Sequence, residues 1–456
     1  MGSLWQMFLF STIAFAANFD YGFSSTYLNT PVDQFQSYLN ESLSRMGHTM
    51  TTSTYNLMWN LITNIWFVGF FIGIWFSPLL NDKFGRKVGY LIGNGGALIG
   101  AVLRCLAIVF YQPVMLFVGR IVTSVCMAVV YQSCILYLQE CSPTHLRGFL
   151  SFLSEIAFAV MCVGGTLLGT SEVLGNHLIW LMAFPIPFCT FFFIFLFFIP
   201  ETPKFLLLTK GDRKAAARAV HFYQGKDADA DSILNEIEQE AEGEDDETKA
   251  WVLIKELFAT PHLRKALFLS CCALQNTVAL WSLLLNSTML LQQMDVPETL
   301  ATWTSTIMTF SYTIGTLTGS MLIERLGRRL LLLSFTCLNN IMLIIYVACA
   351  EVHSVWDPLK FGCVGALIGY GFTYGAGVGP ISWFISSELA PQRYRSLTQS
   401  MCYAINTIMV VITTFTLLPL YDRPSILAIV YLFMFLPETK GKEIHEIVDK
   451  LKGKSS

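Results

Sequence analysis

The sequence predicts an all-α membrane protein made of two six-helix bundles related by pseudo-twofold symmetry. Three observations predict it. Over 456 residues the chain is 54% hydrophobic and 13% charged, against roughly 25% charged residues in soluble domains. Apolar runs long enough to cross a bilayer recur along the whole sequence. Three short polar signatures also occur twice in the same order, each just beyond an apolar run. Asn81-Asp82-Lys83-Phe84-Gly85-Arg86-Lys87 is echoed by Glu324-Arg325-Leu326-Gly327-Arg328-Arg329. Glu140 with Arg147 is echoed by Glu388 with Arg395, and Pro200-Glu201-Thr202 by Pro437-Glu438-Thr439-Lys440-Gly441. Such an ordered repeat describes a duplicated membrane unit.

A spanning helix needs about 20 apolar residues. The first run, 4–26, ends in Ala14-Phe15-Ala16-Ala17, which resembles a signal-peptide cleavage site. No basic residue precedes it and its removal would leave an odd number of spans, so it reads as a membrane span. Runs at 55–80, 88–110, 114–138, 148–170 and 179–199 complete a first unit, 1–202. The polar stretch 203–264 contains Ala215-Ala216-Ala217-Arg218-Ala219-Val220 and Ile233-Leu234-Asn235-Glu236-Ile237, the composition of amphipathic helices. The acidic run from Glu238 to Glu247 reads as a solvated face. Runs at 265–291, 300–323, 330–350, 361–386 and 397–420, with a short one at 425–436, give the second unit, 265–436, followed by a tail, 437–456. Twelve residues separate Pro424 from Pro437, about 18 Å of helix against a ~30 Å hydrocarbon core, so the last helix reads as truncated.

Loop charge sets the expected orientation. Lys83, Arg86, Lys87, Arg147, Arg325, Arg328, Arg329, Arg393, Arg395, Lys440 and Lys442 fall in alternate loops on one side. Both termini and the 203–264 linker are therefore expected in the cytoplasm, and the chain in the plasma membrane. Asn40-Glu41-Ser42 then lies in the first external loop, a glycosylation acceptor. No basic block suits a nucleic-acid partner. The twelve Cys and seven His lack metal-ligand spacing, so no metal and no cofactor is expected. No nucleophile–base constellation points to an enzyme, and Gly453-Lys454-Ser455 lacks the Gly-rich turn of a phosphate loop. The partners expected are the lipid bilayer and a small solute; the oligomeric state is left open.

The motifs Phe84-Gly85-Arg86-Lys87, Gly119-Arg120, Tyr137-Leu138-Gln139-Glu140 through Arg147-Gly148, Pro200-Glu201-Thr202-Pro203, Glu324 to Arg329, Gly379-Pro380-Ile381-Ser382-Trp383 and Pro437-Glu438-Thr439 resemble the sugar porter family of the major facilitator superfamily, especially its facilitative glucose transporters. The resemblance spans essentially the whole chain and implies a carrier moving a hexose-like sugar by alternating access, with a midplane site exposed to each side in turn. Carboxylate–arginine pairs suit a cytoplasmic latch that closes and releases, because charge-assisted hydrogen bonds are directional and weaken when water enters. Asp82, Arg86, Arg120, Glu140, Arg147, Glu324, Arg328, Glu388 and Arg395 are its expected members, joined by Glu201 and Glu438 on the strength of the resemblance. Gly379-Pro380 reads as a gating hinge in the tenth span. Glycines four apart, Gly69/Gly73, Gly96/Gly100 and Gly365/Gly369, read as places of close helix approach.

By the same resemblance the substrate site takes Gln275 and Asn276 from the seventh span, Trp383 from the tenth and Asn406 from the eleventh. Two departures enter it: Glu155 stands where the family has a fifth-helix glutamine, and Trp281 where it has a seventh-helix asparagine. Gly375 and Thr407 depart similarly. A sugar site uses amides and hydroxyl partners plus an aromatic face, so these changes leave the particular sugar open. Facilitated diffusion is the favoured mode. Proton symport through Asp20 or Glu155 is the alternative; the family's proton-linked acid position falls on Ser24, one turn from Asp20, with Arg120 retained opposite. A non-transporting sensor and an organic-ion carrier are the readings of other classes.

Overall fold

The structure is a computed structural model and describes residues 2–142, 147–226, 228–241, 250–292, 294–352 and 356–415. The short last span, the tail and Glu438 lie outside the described residues, as do the side chains of Arg147 and Glu324.

Nineteen α-helices are described: α1 (Gly2–Thr26), α2 (Val32–Arg45), α3 (Thr52–Phe84), α4 (Arg86–Val109), α5 (Pro113–Cys141), α6 (Arg147–Leu168), α7 (Leu178–Ala183), α8 (Pro185–Phe198), α9 (Pro203–Leu208), α10 (Arg213–Gln224), α11 (Ala230–Ala241), α12 (Ala250–Ala259), α13 (Pro261–Gln275), α14 (Val278–Gln292), α15 (Glu298–Leu326), α16 (Arg328–Val352), α17 (Lys360–Thr373), α18 (Gly379–Leu389) and α19 (Gln392–Phe415). Eight stretches among them are long and apolar enough to cross a membrane. The chain is a multi-pass membrane protein.

Two long helices escape that criterion because their polar residues face inward. In α15, Trp303, Ile307, Phe310, Ile314, Leu317 and Met321 are exposed at alternating spacings of four and three. Ser305, Thr309, Tyr312, Thr316 and Ser320 are buried on the other side. That is a helix whose apolar stripe meets lipid and whose polar stripe meets protein, the reverse of a soluble helix. The hydroxyls are tolerated inside because each can bond back to its own helix; Thr309 donates to Thr306 O (2.8 Å) and Thr316 to Thr313 O (2.8 Å). Similarly α1 is buried from Ile13 onward apart from Phe15, and carries Asn18, Asp20, Ser24 and Ser25.

Three predicted spans are broken rather than continuous. The sixth is α7 and α8, joined at Phe184 where Pro185 opens the second helix. The seventh is α13 and α14, separated by Asn276 and Thr277. The tenth is α17 and α18, joined by a π-helical turn, Tyr374–Val378. The duplicated Gly-Arg motifs form equivalent corners: Gly85 (φ +104°) separates α3 from α4 and Gly327 (φ +81°) separates α15 from α16. Positive φ is open to glycine at little cost, so both arginines start a helix just after a sharp turn.

The stretch 203–264 holds the helices α9 to α12 and the start of α13. α9, α10 and α11 share a small core of Leu207, Ala216, Val220, Ala230 and Leu234. It docks through Tyr223, whose hydroxyl meets that of Tyr137 at 2.5 Å and donates to Pro200 O at 2.6 Å.

Spans from the two sequence units meet along α6 with α15 and along α3 with α19. Polar bonds cross that seam along its length: Asn29 to Ser287 (2.8 Å) near the end where α1 finishes, Thr166 with Thr309 (3.0 Å), then Gln132 to Ser400 (3.2 Å) and Gln139 to Ser387 (2.5 Å) toward the opposite end.

Candidate central site between the two sets of spans

The break in the seventh span arranges the middle of the molecule. Thr277 donates to Leu274 O from its amide (3.0 Å) and its hydroxyl (2.7 Å). Asn406, from α19, also donates to Leu274 O (2.9 Å) and to Thr277 Oγ1 (3.2 Å). A carbonyl released from the helical ladder must find other donors in an apolar setting, and here it finds three.

Beyond the break, Trp281 points into the centre. Its ring lies 5.9 Å from Tyr21, 5.7 Å from Phe67, 5.9 Å from Phe158 and 6.4 Å from Trp383. Trp383 in turn packs against Tyr131 (5.4 Å) and Tyr403 (5.0 Å). Small cavities thread between these rings. One is lined by Tyr21, Trp281, Trp383 and Asn406 among others, and one by Tyr131, Ser154, Glu155, Pro380 and Trp383. Each has a volume of about 10 Å³, the space of one water. The rings must part before a sugar-sized solute can enter.

Of the expected substrate residues, the structure brings together Glu155, Trp281, Trp383 and Asn406 as cavity lining. Gln275 and Asn276 sit beside the break but line neither cavity. Both amide atoms of Gln275 and the Asn276 carbonyl are buried without a hydrogen-bond partner. Buried amides are ordinarily paired, so these are groups awaiting one. Glu155 is 3% exposed and accepts from the Tyr312 hydroxyl across the seam.

The polar signatures form networks at the end of the bundle where Gly85 turns. Arg86 donates to Glu140 from Nε (3.0 Å), with the second nitrogen at 2.9 Å. Thr202 donates to the other carboxylate oxygen of Glu140 (2.7 Å). Glu201 accepts from the amide of Lys87 (3.0 and 3.1 Å) and from that of Thr202 (2.8 Å). A carboxylate there satisfies an orphan amide and meets the positive end of α4. Burial pushes the Glu201 carboxyl up, against the pull of those two amides and Arg86. Pro-Glu-Thr is thus a plug holding α4, α5 and the linker together. In the second unit Arg328 lies 3.6 Å from Glu388, and Arg395 is buried on α19. Asp82 is half-exposed and 3.9 Å from Arg86.

These contacts correct the expected latch in two respects. The pairs Arg86–Glu140 and Arg328–Glu388 each join helices of the same unit, because the corner residues reach their own neighbouring span first. Among the described residues, the hydrogen bonds that cross at this end are Gln139 to Ser387, Gln132 to Ser400 and Ser396 to the Asp82 carboxylate. Arg120 does not join the network. It lies seven residues into α5, whereas Glu140 is near that helix's far end, about 30 Å away at 1.5 Å per residue. Its guanidinium donates to Ile62 O (2.8 Å) and the Tyr27 hydroxyl (2.9 Å), between the rings of Tyr27 and Trp66. One glycine pair also fails: an added Cβ at Gly365 would meet nothing within 4 Å.

Asp20 meets Arg104 rather than Arg120. Arg104 donates to both carboxylate oxygens (2.8 and 3.0 Å), and Ser24 donates to Oδ1 (2.8 Å). The side chains are 1% and 2% exposed. Sequence reasoning missed Arg104, although the signal was present. Asp20 is the only charged residue of the first run and Arg104 the only one between Lys87 and Phe110, and lone opposite charges in neighbouring spans need each other. Reasoning also missed Tyr21, Tyr131, Tyr312 and Tyr374, which read as ordinary aromatic span residues until the fold gathers them.

Comparison with known proteins follows the same lines. The Sugar (and other) transporter family profile matches residues 6–451. The chain is 25% identical over 451 residues to facilitated glucose transporter member 7 of Mus musculus, covering 95% of this chain and 87% of that one. It is 26% identical to member 3 of Gallus gallus (96% and 90% covered) and 25% identical to member 9 of Homo sapiens (95% and 83%). Its fold is similar to the major facilitator proton:xylose symporter XylE bound to 6-bromo-6-deoxy-D-glucose, at a TM-score of 0.80 and 15% identity over 98% of this chain and 99% of that one. An inward-open structure of XylE from E. coli gives 0.71 at 16% identity, covering 96% and 98%.

Proposed function

The chain belongs to the Sugar (and other) transporter family, and we propose that it carries a hexose-like sugar across a membrane by facilitated diffusion. The observation that carries this reading is the pair of central cavities that share Trp383: Glu155 lines one, and Trp281 and Asn406 line the other, so groups from both sets of spans converge there. Aromatic faces suit the C–H surface of a sugar ring, and amides and carboxylates suit its hydroxyls. At the break of the seventh span, Gln275 holds an unpaired side-chain amide and Asn276 an unpaired side-chain carbonyl. The units 1–202 and 265–436 would rock against each other, with 203–264 as a cytoplasmic linker and 437–456 as a tail. Arg86, Glu140, Glu201, Arg328, Glu388 and Arg395 would stiffen each unit's corner with Asp82 beside Arg86, and we assign Arg147, Glu324 and Glu438 to the same latch on the strength of the repeated motifs. Rocking would exchange the neutral seam bonds, each worth about 0.5–1.5 kcal/mol net. The π-turn before Gly379-Pro380 is where α18 would swing. We place both termini in the cytoplasm, the protein in the plasma membrane, and a glycan on the exposed Asn40.

The uniport reading is supported by the engagement of Asp20 with Arg104 and Ser24. The symport alternative rests on Glu155. Uptake of radiolabelled hexoses into proteoliposomes, with and without an inward proton gradient, tests the reading. Saturable uptake indifferent to the gradient supports it, and accumulation that needs the gradient contradicts the uniport mode.

A further inference from the structure

Resting on the sugar-carrier reading, we propose that the central site selects a hexose bearing a protonated amine, an amino sugar, with Glu155 as its counter-charge. The buried acids Asp20, Glu140 and Glu388 each face an arginine: Arg104, Arg86 and Arg328. Glu155 differs. It is 3% exposed and is the only charged residue between Arg147 and Thr170. Among the described residues no Lys or Arg pairs with it; its bond comes from the neutral hydroxyl of Tyr312. A carboxylate in an apolar interior is stable in its ionised form only with a counter-charge beside it. This one lines the cavity a solute would enter, so the counter-charge arrives with the solute.

The surroundings fit a cation as well as a sugar ring. Glu155 shares a crevice with Tyr21, Tyr131, Trp281, Tyr374 and Trp383. Ring faces attract ammonium groups through their quadrupole and also cover sugar C–H surface. An ammonium N–H donating to Glu155 in place of the Tyr312 hydroxyl would bring the full counter-charge that the hydroxyl lacks. It would also break a bond across the seam. A neutral hexose offers only hydroxyls, for which an amide at this position would serve.

The test compares 2-amino-2-deoxy-D-glucose with D-glucose, and with the uncharged N-acetyl derivative, in proteoliposomes holding the full chain, where the free amine is protonated. Efficiency (kcat/KM) for the amino sugar should exceed that for either neutral sugar by about tenfold or more, the weight of one hydrogen bond to a charged group. The amino sugar should also protect the purified protein against thermal unfolding at lower concentration than D-glucose does. In Glu155→Gln the amine-to-glucose ratio should fall at least tenfold, while Glu155→Asp keeps the amine preferred. Equal efficiency for amino and neutral sugar in the unmodified chain, unmoved in Glu155→Gln, overturns this inference and leaves the sugar reading standing. Transport of neither sugar overturns the sugar reading and the inference with it.

Discussion

Removing the charge of Asp20 alone should damage the protein more than removing the charges of Asp20 and Arg104 together. The pair is 2.8 Å apart with both side chains essentially excluded from solvent. In Asp20→Asn the guanidinium stays buried without its counter-ion, a cost of about 3–5 kcal/mol; replacing both members with residues of similar shape is often neutral or stabilising. Unfolding entropy near 2.1 cal/mol/K per residue across 456 residues is about 1 kcal/mol/K. If the chain unfolds as one unit, Asp20→Asn or Arg104→Met should lower the midpoint by about 3–5 °C. Asp20→Asn/Arg104→Met should recover most of that loss, giving a coupling energy of several kcal/mol in the double-mutant cycle. Differential scanning fluorimetry of detergent-purified protein reads the midpoints, and hexose uptake by the same preparations reads function. The double variant should still transport. Additive losses would refute the pairing. A stable double variant that loses only gradient-driven uptake would instead assign Asp20 to proton coupling.

Other expectations follow from the same contacts. Arg86→Met leaves the Glu140 carboxylate, 1% exposed at its side chain, with Thr202 alone and should cost about 3–5 kcal/mol, whereas Glu140→Gln should cost less because Arg86 keeps one carbonyl acceptor there together with Asn81 O and the nearby Asp82; thermal denaturation of both variants separates them. Gln139→Leu with Ser387→Ala removes a neutral bond across one end of the seam and should shift the balance between open and closed states about 2–12-fold, read as faster cysteine labelling of that end with little change in melting. At Gly375 an added Cβ would lie 2.3 Å from the backbone carbonyl of Tyr312, so Gly375→Val should force α15 off the π-turn and cost transport and about 1–3 kcal/mol or more of stability.

The duplicated signatures carried most of the architecture. Gly85-Arg86 and Gly327-Arg328 could be read as corners because glycine, a charge and an apolar run coincide there twice, and both became sharp turns. The amphipathic linker helices were visible in their composition. The direction of the ion pairs was not, because a carboxylate and an arginine at one end of a bundle can join either adjacent helices or opposite units. Only the packing shows that Glu140 faces Arg86 while Gln139, one residue earlier, crosses the seam. The broken spans were hidden for a related reason. Asn276-Thr277 looks helical in a hydropathy profile; the unwinding is stabilised by Asn406, more than a hundred residues away. Trp281 and Glu155 stood out only as departures from a resembled pattern, and the ring of tyrosines around them carries no local signal at all.

Radiolabelled hexose and amino-sugar uptake into proteoliposomes, run with Trp281→Ala and Asn406→Ala alongside the unmodified chain, addresses the central site itself. Saturable, gradient-independent sugar uptake that both substitutions weaken severalfold or more, with the proteins still folded, is the expected result. Uptake unaffected by either substitution, or none for any sugar in the folded unmodified chain, would contradict the assignment of this cavity as a sugar path.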